Sequence, residues 1–201
     1  WIPEDWGEVR DAGWREANVM ADPDGQLWSI IIVEAGGFSG EQAARIRILD
    51  DGKRIEFDPK TGFFGFPGAM AKFTIRRDPV TGKYLSFVTN LAHLDALQTV
   101  LDIPDVVTRF HKKYDMRARN VLSLSVSDDL WNWRVVKPIM QDDSGLIPEA
   151  SVLLTGFQYA DWHFDGDDII FVVRTAHRGS NNFHDSNRML FSVLKNFREL
   201  I

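Results

Sequence analysis

Residues 14–33 read WREANVMADPDGQLWSIIIV, a strand followed by a tight turn and an apolar strand. The pattern recurs in residues 71–88, AKFTIRRDPVTGKYLSFV, and in residues 157–173, FQYADWHFDGDDIIFVV. In each copy a turn that contains Asp and Gly joins two strands, and the second strand is strongly apolar. Units of about 40–50 residues built from strands and turns are typical of β-propeller blades. The sequence therefore predicts an all-β fold with about three four-stranded antiparallel blades of a larger ring.

Each unit continues into a second pair of strands, in which apolar residues alternate with polar ones. These outer strands are expected in residues 45–57, 120–136 and 189–194. The repeat units accordingly span approximately residues 13–58, 66–140 and 152–201, within a single partial propeller domain.

Insertions of variable length separate the two strand pairs of each unit. They comprise a Gly-rich segment at residues 35–40, a longer one at residues 91–117 and a polar, His-rich one at residues 176–186. The second insertion is predicted to contain a helix, because Leu94, Leu97 and Leu101 share one helical face. Such loops are where a rigid scaffold usually holds its binding residues, although surface elaboration is the alternative for the second insertion.

Composition excludes several classes of protein. The chain has 201 residues, of which 44% are hydrophobic, with 7 Trp and 14 Phe, so it can bury a core and is not disordered. A net charge of −6 without a basic stripe argues against nucleic-acid binding. No Cys is present, which excludes disulfides and thiol chemistry, and no apolar run approaches the roughly 20 residues of a membrane helix. The Gly-rich segments lack the Lys-Ser or Lys-Thr of a phosphate loop, and we expect no cofactor.

Three units form only part of a ring, because closure needs at least about four blades. Half a ring would leave open sheet edges. The first residue is Trp1 rather than Met. We therefore expect either a missing N-terminal half or a partner chain that closes the ring.

Residues 127–133, SDDLWNW, form the sharpest local motif. A Ser and an Asp cap a tight turn between two outer strands, and Trp133 packs beneath it. The segment resembles the Asp-box hairpin of sialidases. That resemblance implies a structural turn distant from substrate.

Several further segments resemble, in order and spacing, the C-terminal half of bacterial sialidase-like (BNR-repeat, exo-α-sialidase-like) propellers. They lie at residues 14–19, 66–76, 119–122, 157–162, 174–176, 182–187 and 195–198. The resemblance covers most of the chain. It implies a glycoside hydrolase that acts on a glycan by carboxylate acid/base chemistry at the propeller axis, in an extracellular or periplasmic protein.

Glu16 and Asp161 are the predicted catalytic acids, because each lies on the first strand of its unit, the strand nearest a propeller axis. Glycoside cleavage needs two carboxyl groups, about 5 Å apart for retention or about 6.5–9.5 Å for inversion. One of them must stay protonated, which burial beside Trp14, Tyr159 or Trp162 would allow. Alternatively, each acid pairs with an arginine and holds blades together.

Polar residues at strand ends and in the third insertion are the predicted substrate-binding groups. The set is Lys72, Asn90, Tyr159, Arg174, His184 and Asp185.

Two observations support this set. Glu34, Asn90 and Arg174 close three equivalent apolar strands, and the planar fork of Arg174 suits a carboxylate or hydroxyls. His184 and Asp185 belong to a polar cluster with His177 and Asn187. The cluster matches no metal motif, so no metal site is predicted. Ordinary solvation of strand ends is the alternative for the strand-end residues.

Three functions remain open at this point. The first is a glycoside hydrolase. The second is a non-catalytic carbohydrate-binding propeller, whose acids would be solvated or paired with arginine. The third is a structural half-propeller completed by a partner chain, which an exposed apolar edge at Trp1–Trp14 or Met189–Leu194 would favour.

Overall fold

The structure, a computed structural model, describes residues 13–34, 42–68, 71–90 and 119–201. Within these ranges it contains twelve strands and one short helix, α1 (Pro148–Leu154). The strands are β1 (Gly13–Ala21), β2 (Leu27–Glu34), β3 (Gln42–Leu49), β4 (Arg54–Glu56), β5 (Phe63–Gly65), β6 (Thr74–Arg77), β7 (Tyr84–Asn90), β8 (Val121–Ser127), β9 (Trp133–Gln141), β10 (Gly156–Asp165), β11 (Asp168–Ala176) and β12 (Arg188–Leu194). Short 3-10 turns follow β3 at Asp50–Gly52 and β12 at Phe197–Leu200.

The strands form three sheets, as the repeats predict. The first has the order β1-β2-β3-β4, with β5 paired to β3. The second has the order β6-β7-β8-β9, and the third the order β10-β11-β12. Every strand pair whose register is defined is antiparallel. Consecutive strands of each sheet are neighbours, except that β5 pairs with β3 rather than with β4.

The three predicted hairpin turns lie where the Asp-Gly segments occur. In the first, the Asp22 carboxylate accepts hydrogen bonds from the backbone N–H of Asp24 and of Gln26. In the second, the buried Asp78 accepts from the backbone N–H and the hydroxyl of Thr81. Gly82 closes that turn with φ of +74°, a left-handed conformation that glycine adopts without steric cost. The turn chemistry is local, which is why the sequence alone predicts these hairpins.

The chain divides into two compact units, Trp1–Val88 with Ser125–Val135, and Thr89–Leu124 with Val136–Ile201. The first sheet belongs to the first unit and the third sheet to the second. Strands β7, β8 and β9 contribute residues to both units.

An aromatic core fills the first unit. Phe66 is fully buried, with its ring centroid 4.2 Å from that of Phe73 and 4.8 Å from that of Trp133. Asn18 joins β1 to the β6 segment, because its Nδ2 donates to Phe73 O (3.0 Å) and its Oδ1 accepts from Ile75 N–H (3.1 Å). Burial of each large apolar side chain contributes about 1.5–3 kcal/mol, so this core stabilises the unit by several kcal/mol.

The turn at residues 127–133 is capped by Ser127 and Asp129. Asp129 Oδ1 accepts hydrogen bonds from the backbone N–H of Trp131 (2.9 Å) and of Asn132 (2.7 Å) and from the Ser127 hydroxyl (3.0 Å). Trp133 Nε1 donates to Leu130 O (2.8 Å), which holds the indole against the turn. Partial burial acts to raise the pKa of Asp129, but hydrogen bonds from Asn132, Trp131 and Ser127 lower it to about 2.

Two elements were not predicted, and one prediction lies outside the described residues. Helix α1 begins at Pro148, a residue favoured in the first helical turn, but seven residues are too few for a periodic pattern. Strand β5 has only three residues. The helix expected in residues 91–117 falls outside the described ranges.

Candidate functional site

A bulge in β10 places a non-glycine residue of the second unit in a left-handed conformation. Gln158 pairs with Arg174 and Asp161 pairs with Val172, so two residues of β10 stand opposite one of β11. The first of these two residues, Tyr159, has φ of +52°. A non-glycine residue in the left-handed region costs about 1–3 kcal/mol and persists only where its surroundings hold it.

Cationic and aromatic groups surround the ring of Tyr159. The guanidinium carbons of Arg174 and Arg119 lie 5.2 Å and 5.7 Å from the ring centroid, within cation–π range. The His184 imidazole approaches the ring edge-on, with centroids 6.3 Å apart. We call Arg119, Tyr159, Arg174 and His184 the Tyr159 cluster. It brings together three of the predicted binding residues with Arg119, for which the sequence predicted no binding role.

The members of this cluster differ in exposure. Arg119 is only 6% exposed and donates from Nη1 to Gln158 Oε1 (2.9 Å). Tyr159 and Arg174 are half-buried, and His184 is exposed. Arg174 has no carboxylate within ion-pair distance among the described residues, and its buried Nε has no hydrogen-bond partner there. The cluster thus exposes the imidazole of His184 and part of the ring of Tyr159 to solvent, whereas the guanidinium group of Arg119 is buried.

A short loop carries His184 and Asp185 to this position. Asn182 Oδ1 accepts from the backbone N–H of His184 (2.8 Å) and of Asp185 (2.9 Å). Asn182 Nδ2 in turn donates to the Asp185 carboxylate (2.7 Å). Arg174 Nη2 donates to His184 O (2.6 Å), which links the loop to the sheet.

The two predicted catalytic acids lie in different units of the chain, Glu16 in the first and Asp161 in the second. Both side chains are exposed. Asp161 Oδ1 accepts a hydrogen bond from Trp162 N–H (3.0 Å). The aromatic burial expected to keep one of these acids protonated is therefore not found at either position. Their pairing across a scissile bond stays a prediction.

The remaining predicted residues are distributed as follows. Lys72 is exposed in the segment before β6. Asn90 is the last residue of β7 and Glu34 the last of β2, whereas Arg174 lies two positions before the end of β11. The side chains of Glu34 and Asn90 are outside the described part of the structure. A shared rim formed by these strand ends stays a prediction.

The polar insertion of the third unit forms two separate networks rather than one cluster. His184 and Asp185 belong to the Tyr159 cluster and its loop, as described above. His177 is instead buried, with Nε2 2.7 Å from Asp143 Oδ1, and its backbone N–H donates to Asn187 Oδ1 (3.1 Å). Sequence spacing grouped these residues, but the fold separates them.

Asp142, Asp143 and His177 form the one group of potential metal ligands found in the described part of the chain, with ligand atoms within 4.8 Å of one another. Guanidinium groups already occupy this network. Arg188 Nη1 lies 3.3 Å from His177 Nδ1, and Arg178 Nη2 lies 3.6 Å from Asp143 Oδ1. With Nδ1 facing a donor, the imidazole proton is assigned to Nε2, toward Asp143. These arginines supply the positive charge that a cation would bring, so the donor set fits an ion-pair network better than a metal.

Asp142 is held by the helix that the sequence did not predict. Burial acts to raise the pKa of its carboxyl, but hydrogen bonds from Ser151 and Ser144 lower it below the usual range. Ser151 also accepts a hydrogen bond from Asn120 Nδ2 (2.8 Å). The adjacent acids at 142–143, directly after β9, were the available sequence signal for this network.

Comparison with protein-family models and with curated proteins gives no match. Solved structures do match. The α-L-arabinanase of Penicillium chrysogenum, complexed with arabinobiose, is 13% identical with a TM-score of 0.51, over 91% of this chain and 46% of its own. The GH93 α-L-arabinofuranosidase of Fusarium graminearum, also with arabinobiose, is 10% identical with a TM-score of 0.52, over 94% of this chain and 47% of its own.

These neighbours are β-propeller glycosidases, so the likeness confirms the predicted fold, an all-β partial propeller of about three blades. The chain spans about half the length of the solved structures that it matches. At such low identity the likeness concerns the fold alone. The two neighbours are an arabinanase and an arabinofuranosidase rather than sialidases. No helix in the described ranges is long and apolar enough to cross a membrane.

Proposed function

We propose that this chain is part of a carbohydrate-active propeller and that the Tyr159 cluster binds a glycan. One observation carries the proposal: the left-handed Tyr159 at the β10 bulge, with the guanidinium groups of Arg119 and Arg174 within cation–π range of its ring. Residues with strained backbone persist only where the surrounding structure holds them, and they are concentrated at binding and catalytic sites. The similarity in fold to propeller glycosidases supports a glycan as the ligand class.

The chemistry of the cluster suits a sugar. The apolar face of a sugar ring can pack on the half-buried ring of Tyr159, while hydroxyl groups accept from arginine and from the exposed His184. The Asp185 carboxylate, exposed in the neighbouring loop, can accept from sugar hydroxyls. Lys72 and Asn90 are further proposed contacts, carried over from their positions in the repeats.

The proposed reaction is hydrolysis of a glycosidic bond through carboxylate acid/base chemistry, in a glycoside hydrolase of sialidase-like type, with Glu16 and Asp161 as acid, base or nucleophile. Both carboxyls are exposed, so neither lies in the apolar, buried setting that a general acid needs. A bound glycan would have to exclude water from the acid. Without that effect the same residues support binding only, which makes a non-catalytic carbohydrate-binding propeller the main alternative.

Titration calorimetry with two probes tests the binding site: arabinobiose, and a methyl α-glycoside of N-acetylneuraminic acid. We expect His184→Ala to weaken binding of the preferred probe several-fold, because it removes an exposed donor of the cluster. The matched control is His163→Ala, which changes an exposed histidine of β10 outside the cluster. Equal affinity of the two variants, or no binding of either probe by the protein, would contradict the proposed site.

Release of a fluorescent aglycone from the 4-methylumbelliferyl arabinoside and sialoside tests the proposed reaction. Asp161→Asn and Glu16→Gln are expected to abolish turnover and to leave binding intact. Asp165→Asn, at an exposed acid at the end of β10, is the control. Binding without turnover by the unmodified protein would favour the carbohydrate-binding alternative.

A second candidate function, a half-propeller completed by a partner chain, is supported by strand β12. Met189 and Phe191 are each 67% exposed, and Phe191 stands beside the exposed Val172 of β11. Among the described residues the third sheet has three strands, whereas the second has four. An exposed apolar edge of this kind favours association. Analytical ultracentrifugation tests this candidate. Self-association that Phe191→Ser abolishes would support it, whereas a monomer at all concentrations would argue against a second copy of this chain as the partner.

A further inference from the structure

We propose that Gly156 and Gln158 are positioning residues, which together with Arg174 clamp the loop at residues 182–185 onto the third sheet. The role of this clamp in glycan binding rests on the proposed function. The clamp itself follows from contacts within the second unit and needs no ligand.

Gly156 admits the loop to the sheet. A Cβ atom added at this position would lie 2.2 Å from Phe183 O and 3.1 Å from Phe183 C. Real Cβ atoms do not approach backbone oxygen so closely, and a backbone carbonyl cannot rotate away as a long side chain can. Any other residue at position 156 would therefore displace Phe183.

Gln158 binds the Phe183 carbonyl, which can approach the sheet because Gly156 has no side chain. Its side chain is 1% exposed, and its Nε2 donates a hydrogen bond to Phe183 O. Its Oε1 accepts from Arg119 Nη1 (2.9 Å), which fixes the orientation of the amide so that Nε2 faces the loop. The buried Arg119 thus acts on the loop through Gln158.

Arg174 binds the next carbonyl along the loop. Gln158 and Arg174 are direct cross-strand partners in β10 and β11, and Arg174 Nη2 donates to His184 O (2.6 Å). Two paired residues of the sheet therefore hold two successive carbonyls. On the other side of the loop, Phe183 N–H donates to Leu153 O (2.7 Å), and Asn182 accepts from the next two amides.

The consequence is a loop that exposes the side chains of His184 and Asp185 while most backbone groups between Phe183 and Asp185 are hydrogen-bonded. His184 and Asp185 are exposed, yet their amides and the carbonyls of Phe183 and His184 all have partners. The ordering of this loop accompanies folding rather than ligand binding, so a glycan would meet a preorganised surface. Sequence spacing does not predict this, because the clamp joins residues about 25 positions apart.

Hydrogen exchange without any sugar tests the clamp. Gln158→Met keeps the volume of the side chain and removes the donor to Phe183 O. We expect amide exchange in residues 182–185 at least about tenfold faster than in the unmodified protein, as loss of a buried hydrogen bond permits local opening. Gln158→Glu keeps an oxygen for Arg119 but also lacks the donor, and it should behave alike. The control is Gln141→Met at the exposed end of β9.

Gly156→Ala is the second variant, with Gly13→Ala as its control, since a Cβ at Gly13 meets nothing within 4 Å. If Gly156→Ala does not fold, the two Gln158 variants still decide the question. Unchanged protection of residues 182–185 in both Gln158 variants would overturn the clamp.

The sugar titrations described above separate this inference from the proposed function. Faster exchange together with weaker binding of the preferred probe supports the positioning role. Faster exchange with unchanged affinity overturns that role. If the unmodified protein binds neither probe, the proposed function fails. The exchange data then still decide whether Gln158 holds residues 182–185 on the sheet.

Discussion

Replacing Asp129 should destabilise the protein by an amount that depends on pH. The carboxylate accepts hydrogen bonds from Asn132, Trp131 and Ser127, and these lower its pKa from 3.8 to about 2. At about 1.4 kcal/mol per pKa unit, the ionised form contributes at most about 2.4 kcal/mol to folding. Because the group is only half-buried, solvent screening reduces this to about 1 kcal/mol.

The pH range follows from the direction of the shift. A carboxyl whose pKa is lower in the folded state stabilises the protein above its unfolded pKa, near 3.8, and this contribution disappears as pH falls toward 2. Asp129→Asn retains one acceptor oxygen but no charge. Its free energy of unfolding should therefore be about 1 kcal/mol below that of the unmodified protein at pH 7, and the difference should shrink between pH 5 and pH 2.

Urea unfolding followed by tryptophan fluorescence at pH 7, 5, 3.5 and 2.5 measures this difference. Asp128→Asn is the control, since the neighbouring Asp128 side chain is 80% exposed and forms only a surface ion pair with Lys83. A destabilisation by Asp129→Asn that stayed constant over this range would refute the electrostatic account. The turn would then depend on hydrogen-bond geometry alone.

Three further substitutions probe the first unit. Asn18→Ala should lower the free energy of unfolding by about 2 kcal/mol in urea titrations, because it leaves Phe73 O and the amide of residue 75 without their partner. A loss below about 0.5 kcal/mol would mean that water replaces the missing side chain as their partner. Phe66→Ala should cost about 3–5 kcal/mol in the same assay, since its fully buried ring contacts three others. A smaller loss would indicate that the core collapses into the cavity. Gly82→Ala, at φ of +74°, should lower the melting temperature by several degrees through a cost of about 1 kcal/mol, and an unchanged melting temperature would show that the turn relaxes.

Part of the candidate site was predictable from sequence. Tyr159, Arg174, His184 and Asp185 were selected from their places in the repeat and the third insertion, and the fold brings the first three into one cluster with the fourth in the adjoining loop. Their types were informative, since aromatic, planar cationic and polar side chains are those that bind sugars. Their roles in binding remain proposals.

Other members were not predictable, because their significance depends on contacts across the chain. Arg119 acts on Gln158 across 39 positions, and Gln158 acts on Phe183 across 25. A single sequence gives no indication that these residues meet. His177 and His184 join different networks for the same reason, since nearness in a loop does not determine which partners a side chain meets.

The sequence by itself determined the hairpins, the alternation of apolar and polar residues and hence the antiparallel sheets. These depend on turn residues such as Asp78 and Gly82 and on strand periodicity, which act within a few residues. Only the tertiary structure decided the bulge at Tyr159, the approach of Phe183 to Gly156 and the exposure of Glu16 and Asp161. Those features arise where strands and loops distant in sequence pack together, and there the register between strands, rather than the propensity of any residue, sets the geometry.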